Sequence, residues 1–193
     1  MIRTWSLEYL SDLNSKRYLS YLKGLPSGSP FYLPYVWMMD VKFKVLEWDK
    51  LTRDQLHACI KLRIDVFVVE QNCPYPDLDG KDLDSIHVFL DEIDSEFSNG
   101  SYTDAYLRIC KPGVSYDEPS IGRVATSERS RGTGLGVKLM EKGIEICEDL
   151  WPGRGIRISA QKYLVKFYSD LGFKVCSEPY LEDDIPHVQM YRK

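Results

Sequence analysis

The sequence predicts an α/β fold of the α+β mixed-sheet kind: a mostly antiparallel sheet flanked by helices. Three observations predict it. Short apolar stretches at Phe43 to Trp48, Ile86 to Leu90, Ala105 to Cys110 and Ser120 to Thr126 follow one another as strands, parted by turn-rich segments. A glycine-rich turn, Arg131 to Gly136, then leads into an amphipathic helix. A short strand, a second helix and two closing strands complete the chain.

Residues 1–41 read as an N-terminal extension, partly helical or irregular, and residues 42–193 as one domain. In the extension, Trp5, Tyr9, Leu10, Leu13, Leu19 and Leu22 fall loosely at helical spacing, and Gly24 to Pro30 reads as a linker. The aromatic stretch Phe31 to Met39 must cover either the domain's own surface or a partner chain, so a homodimer is among the arrangements it allows. In the domain, Phe43 to Trp48 alternates as a strand. Thr52 is placed to cap a helix whose apolar residues, Leu56, Cys59, Ile60 and Phe67, recur through about Gln71. No helix continues through Cys73-Pro74-Tyr75-Pro76-Asp77. The strands Ile86 to Leu90, Ala105 to Cys110 and Ser120 to Thr126 form an antiparallel meander, with Asp91 to Gly100 as a polar loop. After the glycine-rich turn, Leu139, Met140, Gly143, Cys147 and Leu150 make the helix's buried stripe. Ile156 to Ala160 is a strand and Tyr163 to Leu171 a helix ended by Gly172. Phe173 to Cys176 and Val188 to Tyr191 are the closing strands.

Composition narrows the function classes. The 193 residues are 44% hydrophobic and 28% charged, as in an ordinary globular protein. A net charge of −4 gives no general attraction to nucleic acid or to an anionic membrane. No run reaches the roughly 18–20 apolar residues that span a bilayer. Five widely spaced cysteines with no C-x-x-C argue against disulfides and a zinc site and point to the reducing cytoplasm.

The turn Arg131-Gly132-Thr133-Gly134-Leu135-Gly136 is an anion-binding design. Glycines let the backbone approach a ligand closely, and the helix that follows presents free N–H groups and the positive end of its dipole. A pyrophosphate suits that place, with Arg131 adding a charge-assisted bond. The spacing is neither the dinucleotide G-x-G-x-x-G nor a P-loop, since Gly136-Val137-Lys138 lacks G-K-[ST].

Arg131-x-x-Gly134-x-Gly136 resembles the coenzyme A signature of the GNAT acyltransferases, preceded by Gly122 to Thr126 where that family has a bulged central strand. Phe167-Tyr168-Ser169-Asp170-Leu171-Gly172-Phe173 resembles the family's closing motif. Val66 to Tyr75, Asp79 to Asp82, Ala160-Gln161 and Tyr180 to His187 resemble the ElaA-like branch, which usually has Gly where Asp184 stands. The resemblance covers residues 43–192. It implies the GNAT acyl-CoA N-acyltransferase fold, with a splayed pair of central strands opening between Thr126 and residues 156–160. It also implies acetyl-CoA as acetyl donor to a primary amine of a small molecule or peptide, by direct transfer.

The resemblance assigns cofactor-binding roles to the backbone of Val124, Ala125 and Thr126, to Arg131, Gly132, Thr133, Gly134, Leu135 and Gly136, and to Gln161 for the pantetheine. Acyl transfer also needs a neutral amine and a protonated leaving thiolate. A phenol with pKa ~10 is protonated at neutral pH, which makes Tyr168 the general-acid candidate, with Phe167 left to fill the core. Glu70, His87, Glu182 and His187 are the candidate bases. Glu70 ranks first, at the end of the helical stripe. His187 also reads as a capping or packing residue, and His87 as a core residue. The acidic run Glu178, Glu182, Asp183, Asp184 favours a cationic amine. Two alternatives stay open: an enzyme like the acyl-homoserine-lactone synthases, which Leu62-Arg63 and Val66-Phe67 also resemble, and a non-catalytic acyl-CoA-binding regulator.

Overall fold

The computed structural model describes residues 41–90 and 102–193. The extension 1–40 and the loop expected at Asp91 to Gly100 lie outside the described residues. Lys42–Lys193 forms one compact unit. Its elements in chain order are β1 (Phe43–Glu47), α1 (Arg53–Arg63), β2 (Ser85–Leu90), β3 (Ala105–Cys110), β4 (Ser120–Thr126), α2 (Leu135–Leu150), β5 (Ile156–Gln161), α3 (Val165–Asp170), β6 (Lys174–Val175), β7 (Tyr180–Glu182) and β8 (Ile185–Arg192).

Helix α1 begins where Thr52 predicts. Thr52 Oγ1 accepts the Gln55 N–H at 3.2 Å, and Gln55 Oε1 accepts the Thr52 N–H at 3.0 Å. This reciprocal pair satisfies two N–H groups that the first turn leaves bare. The helix does not run on in α form to Gln71. Ile64–Glu70 continues it as a π-helix, and the Cys73 N–H then reaches back to Val68 O at 3.1 Å. Val66, Val68 and Val69 are β-branched and crowd an α-helical turn, which eases this widening.

The described strands form one mixed sheet in the order β1-β2-β3-β4-β5-β8-β6, with β7 on β8. β1 to β4 are an antiparallel meander. Every residue of β3 is buried. Its Tyr106 joins Cys59, Leu62, Val66, Phe89 and Ala125 in the core under α1. On the opposite face, α2 lies so close that a Cβ on Gly143 would stand 2.9 Å from Leu107 Cδ2 and 3.2 Å from Ile121 Cδ1. The α2 stripe ends one turn early. Leu139, Met140, Gly143 and Cys147 are buried, but Leu150 is 53% exposed in a final turn whose Glu148 pairs with Arg192 of β8.

Two departures from regularity shape the middle of the sheet. Tyr106 pairs with Ala125 but Arg108 with Gly122, so Arg123 and Val124 together face Leu107. This is a β-bulge, and Arg123 takes φ +53° to make it. Strands β4 and β5 are parallel neighbours paired at Ser120 and Arg157 alone, with the Arg157 N–H donating to Pro119 O at 3.1 Å. Beyond that point they part, and the sheet opens toward Thr126 and Gln161.

β7 is an extra strand beyond the two closing strands the sequence predicts. Tyr180–Glu182 pairs with Ile185–His187 across a two-residue turn in which Asp183 (φ +49°) and Asp184 (φ +62°) are both left-handed. Such hairpin turns prefer Asn and Gly, but Asp tolerates them. Asp184 therefore takes the left-handed place at which the resemblance leads one to expect Gly.

Candidate active site

The glycine-rich turn sits beside the opening. Gly132 (φ +72°) and Gly134 (φ +78°) are both left-handed, a conformation that other residues adopt with strain. Thr133 Oγ1 donates to Ser130 O at 2.6 Å and fixes the turn's middle. Gly134, the N-cap of α2, has no side chain to cap it, and the first turn holds no acidic residue; the Leu135 N–H reaches Thr133 Oγ1 at 3.4 Å. The Val137 and Lys138 N–H groups both go to Gly134 O. A Cβ on Gly132 would meet nothing within 4 Å, so one side of the turn is open. A Cβ on Gly136 would lie 3.8 Å from Thr126 Cγ2 and 4.0 Å from Phe167 Cζ. The turn, the end of β4 and α3 therefore converge. An uncapped helix start behind left-handed glycines suits the phosphates of a nucleotide-bearing donor.

Arg131 is already engaged. Its Nη1 and Nη2 donate to the two carboxylate oxygens of Glu70, each at 2.7 Å, and Nη2 also reaches Thr126 O at 3.3 Å. The Arg131 bond holds the Glu70 carboxyl below its ordinary range. A carboxylate held this way is a weaker base than an unpaired one. Its neighbour Gln71 exchanges amide bonds with Gln161, at 3.0 and 3.4 Å, which joins the end of the π-helical stretch to the end of β5.

Tyr168 is buried, 7% exposed, edge-on to Phe167 and Phe173 at ring distances of 5.0 and 6.2 Å. The expected division of labour is reversed for the rings. Phe167 is half-buried with its tip toward Gly136, and Tyr168 takes the interior place. Burial, with Tyr163 adding to it, pushes the Tyr168 phenol above its usual pKa. Among the described residues no hydrogen bond reaches its hydroxyl.

The two candidate histidines are both held by hydrogen bonds, His87 through both ring nitrogens and His187 through Nδ1. His87 is buried; its Nε2–H donates to Asp82 O at 3.1 Å, and its Nδ1 accepts from Tyr106 O–H at 2.8 Å, so both nitrogens are used. Burial lowers its pKa, which suits this neutral form. His187 donates from Nδ1 to Ile185 O at 2.8 Å and stacks on Tyr180 at 6.2 Å.

Sequence reasoning named Glu182 as a candidate base but not the hydroxyls that hold it. Ser159 Oγ donates to Glu182 Oε2 at 2.8 Å, so its single proton is spent there, and the Tyr180 O–H at 2.6 Å donates to Ser159. Glu182 has no cationic partner among the described residues. The nearby Arg157 is bound twice by Glu118, at 2.6 and 3.0 Å. The alternation in β5 carried the signal. Ile156, Ile158 and Ala160 are buried, and Arg157, Ser159 and Gln161 line the other, half-open face.

A second missed group anchors the loop after the π-helical stretch. Arg63, 1% exposed, donates to both oxygens of Asp82 at 2.8 and 3.2 Å. Arg108 bonds Asp82 at 3.0 Å and both oxygens of Asp79 at 2.7 and 2.9 Å. Arg123, the bulge residue, donates to Asp77 Oδ1 at 2.8 Å and lies over the Tyr75 ring at 5.3 Å. Three guanidinium groups and three carboxylates thus tie residues 75–82 to the bulge of β4.

All five cysteines are free thiols. Burial pushes the thiols of Cys59 and Cys147 up to about 12, so neither is a nucleophile at neutral pH. Among the described residues, no helix is long and apolar enough to cross a membrane.

Known proteins carry the same pattern. Residues 111–193 match the acetyltransferase (GNAT) domain. Protein ElaA of Escherichia coli (strain K12) is 40% identical over 155 residues, 79% of this chain and 97% of that protein. The crystal structure of Escherichia coli ElaA superposes with a TM-score of 0.70 over 79% of this chain and 99% of that one. An acyl-CoA N-acyltransferase from Pseudomonas aeruginosa, 39% identical, superposes at 0.71 over 80% and 100%. A CoA-dependent acyl-homoserine lactone synthase, 18% identical with a TM-score of 0.60 over 78% of this chain and 82% of that one, shares the fold alone. With its bulged β4, its parted β4–β5 pair and its glycine turn, this chain belongs to the GNAT acyltransferases and to their ElaA-like branch.

Proposed function

We propose that the protein moves an acetyl group from acetyl-CoA to a primary amine of a small molecule or peptide, by direct transfer while both are bound. The observation that carries this reading is the parting of β4 from β5 beside an uncapped, left-handed glycine turn. In this reading Gly132 to Gly136 and Arg131 hold the phosphates and Gln161 holds the pantetheine. The N–H groups of Val124 to Thr126, past the bulge, bind the thioester oxygen; fixed donors there favour the charge that develops on it. Acetyl-CoA, when bound, supplies the activated acyl group.

The acceptor side is the half-open face of β5, β7 and β8. At pH 7 an amine of pKa ~10.4 costs about 4–5 kcal/mol to neutralise, so a proton acceptor is required. Glu182, oriented by Ser159 and free of any described cation, serves as that acceptor and draws a cationic amine to this face. His187 packs beneath Tyr180 and steadies it. Tyr168 protonates the departing thiolate.

A panel of mono-, di- and polyamines and lysine-bearing peptides with acetyl-CoA tests the reading, following free thiol and N-acetyl product together. Amine-dependent release of both in equal amounts is expected. Binding of coenzyme A with no thiol released by any amine would overturn it in favour of a regulator.

A further inference from the structure

Glu70 and a donor phosphate need the same two N–H groups. Arg131 offers Nη1 and Nη2 as a fork, and both prongs end on Glu70 oxygens at 2.7 Å. A guanidinium fork fits a carboxylate and a phosphate by the same bidentate geometry, so one occupant excludes the other from those prongs. The pair joins residues 61 positions apart. It closes the end of the π-helical stretch onto the glycine turn. It is also accessible, with the Arg131 and Glu70 side chains 40% and 47% exposed, so a ligand can reach and exchange it.

We propose that Glu70 is an internal competitor of the donor's phosphate for Arg131, and that donor binding hands the Glu70 carboxylate over to the acceptor side. The inference rests on the reading that Arg131 binds donor phosphate. Glu70 has a defined place to go. The next residue, Gln71, is bonded to Gln161 at the end of β5, so a released Glu70 stays beside the opening rather than swinging into solvent. Before exchange, Glu70 is neutralised by Arg131. Afterwards it is an unpaired negative charge at the mouth of the cleft that takes the amine. A donor-first order of binding follows, because the acceptor side gains its second carboxylate only once the donor is seated. The device also keeps Arg131 folded back against Thr126 and Glu70, so its side chain is oriented before the phosphate arrives.

Calorimetric titration with coenzyme A of the wild type, Glu70→Gln, Arg131→Gln and the double variant tests this. Glu70→Gln keeps the side chain's shape and removes its charge at an exposed position, so folding is not at stake. Arg131→Gln is expected to weaken binding. Glu70→Gln is expected to tighten it about two- to fivefold, the range an exposed ion pair's typical worth sets. In the Arg131→Gln background, Glu70→Gln is expected to change nothing. Tightening that persists in the double variant would mean a general field effect and would overturn the competition, as would an unchanged or weaker affinity in Glu70→Gln alone. If Arg131→Gln itself binds normally, the phosphate reading of the turn fails instead. Carbon-13 NMR of the Glu70 carboxyl reads the hand-over. Its titration midpoint is expected to move up on saturation with coenzyme A, and an unmoved midpoint contradicts the release.

Discussion

Replacing Tyr168 with Phe separates chemistry from packing at a buried position of the proposed site. The ring's edge-on contacts with Phe167 and Phe173 survive the change, because they involve only carbon and hydrogen. The hydroxyl accepts and donates no hydrogen bond among the described residues, so its removal does not forfeit the ~0.5–1.5 kcal/mol that a protein hydrogen bond contributes. Stability should therefore change by less than about 0.5 kcal/mol, a melting shift of no more than about 2 °C for a domain of this size. Turnover should fall far more. A general acid is worth about 10²–10⁴-fold, and Phe has no proton to give. Because burial raises the phenol's pKa, the wild-type kcat should show no alkaline loss from this group up to about pH 10, the phenol's unperturbed value. The assay is kcat from thiol release beside a melting curve for each protein. A drop of several degrees with near-normal turnover would refute the reasoning and make the hydroxyl structural. A loss below about tenfold would make Tyr168 an orienting residue, since a thiol of pKa ~8.5 leaves without much help.

Two other outcomes follow from the buried polar groups. Asp82→Ala leaves Arg63 and Arg108 in the interior without their shared carboxylate, and breaking a buried pair this way costs about 3–5 kcal/mol; urea unfolding measures it, and a loss under about 1 kcal/mol contradicts the network's role. His87 has a lowered pKa in the folded protein, so the unfolded chain takes up its proton first and stability falls as pH drops below about 6.5; His87→Gln should flatten that slope between pH 7 and 5.5, and an identical slope excludes His87 as its source.

Much of this architecture is legible in the sequence where a local rule decides. The short apolar stretches of β1 to β4, the Thr52 cap and the stripe from Leu139 to Cys147 depend on residues a few positions apart, and each stands where its pattern places it. The parts that were not legible depend on distance or on tolerated exceptions. Asp183-Asp184 makes a hairpin turn without the usual Gly, so β7 reads as an acidic loop. The widening of α1 into a π-helix has no sequence period of its own. Arg63 finds Asp82 across 19 positions, and Arg123 finds Asp77 across 46, so nothing local announces that cluster. In the site, the sequence marks Arg131 as a candidate anion ligand, but nothing local announces its partner Glu70, 61 positions away. That pairing alters the role first expected of Glu70.

The claim at the centre of the account is that the glycine turn is the donor site, and calorimetry with acetyl-CoA on the wild type and Gly134→Val tests it most directly. Gly134 is left-handed at φ +78°, where a β-branched residue is strained by about 1–3 kcal/mol, and the new side chain would stand at the start of α2 where the phosphates belong. A melting curve confirms that the variant is folded. The account predicts one acetyl-CoA bound per wild-type chain and no measurable binding to folded Gly134→Val. Equal affinity in the two proteins would contradict it and remove the turn from the active site.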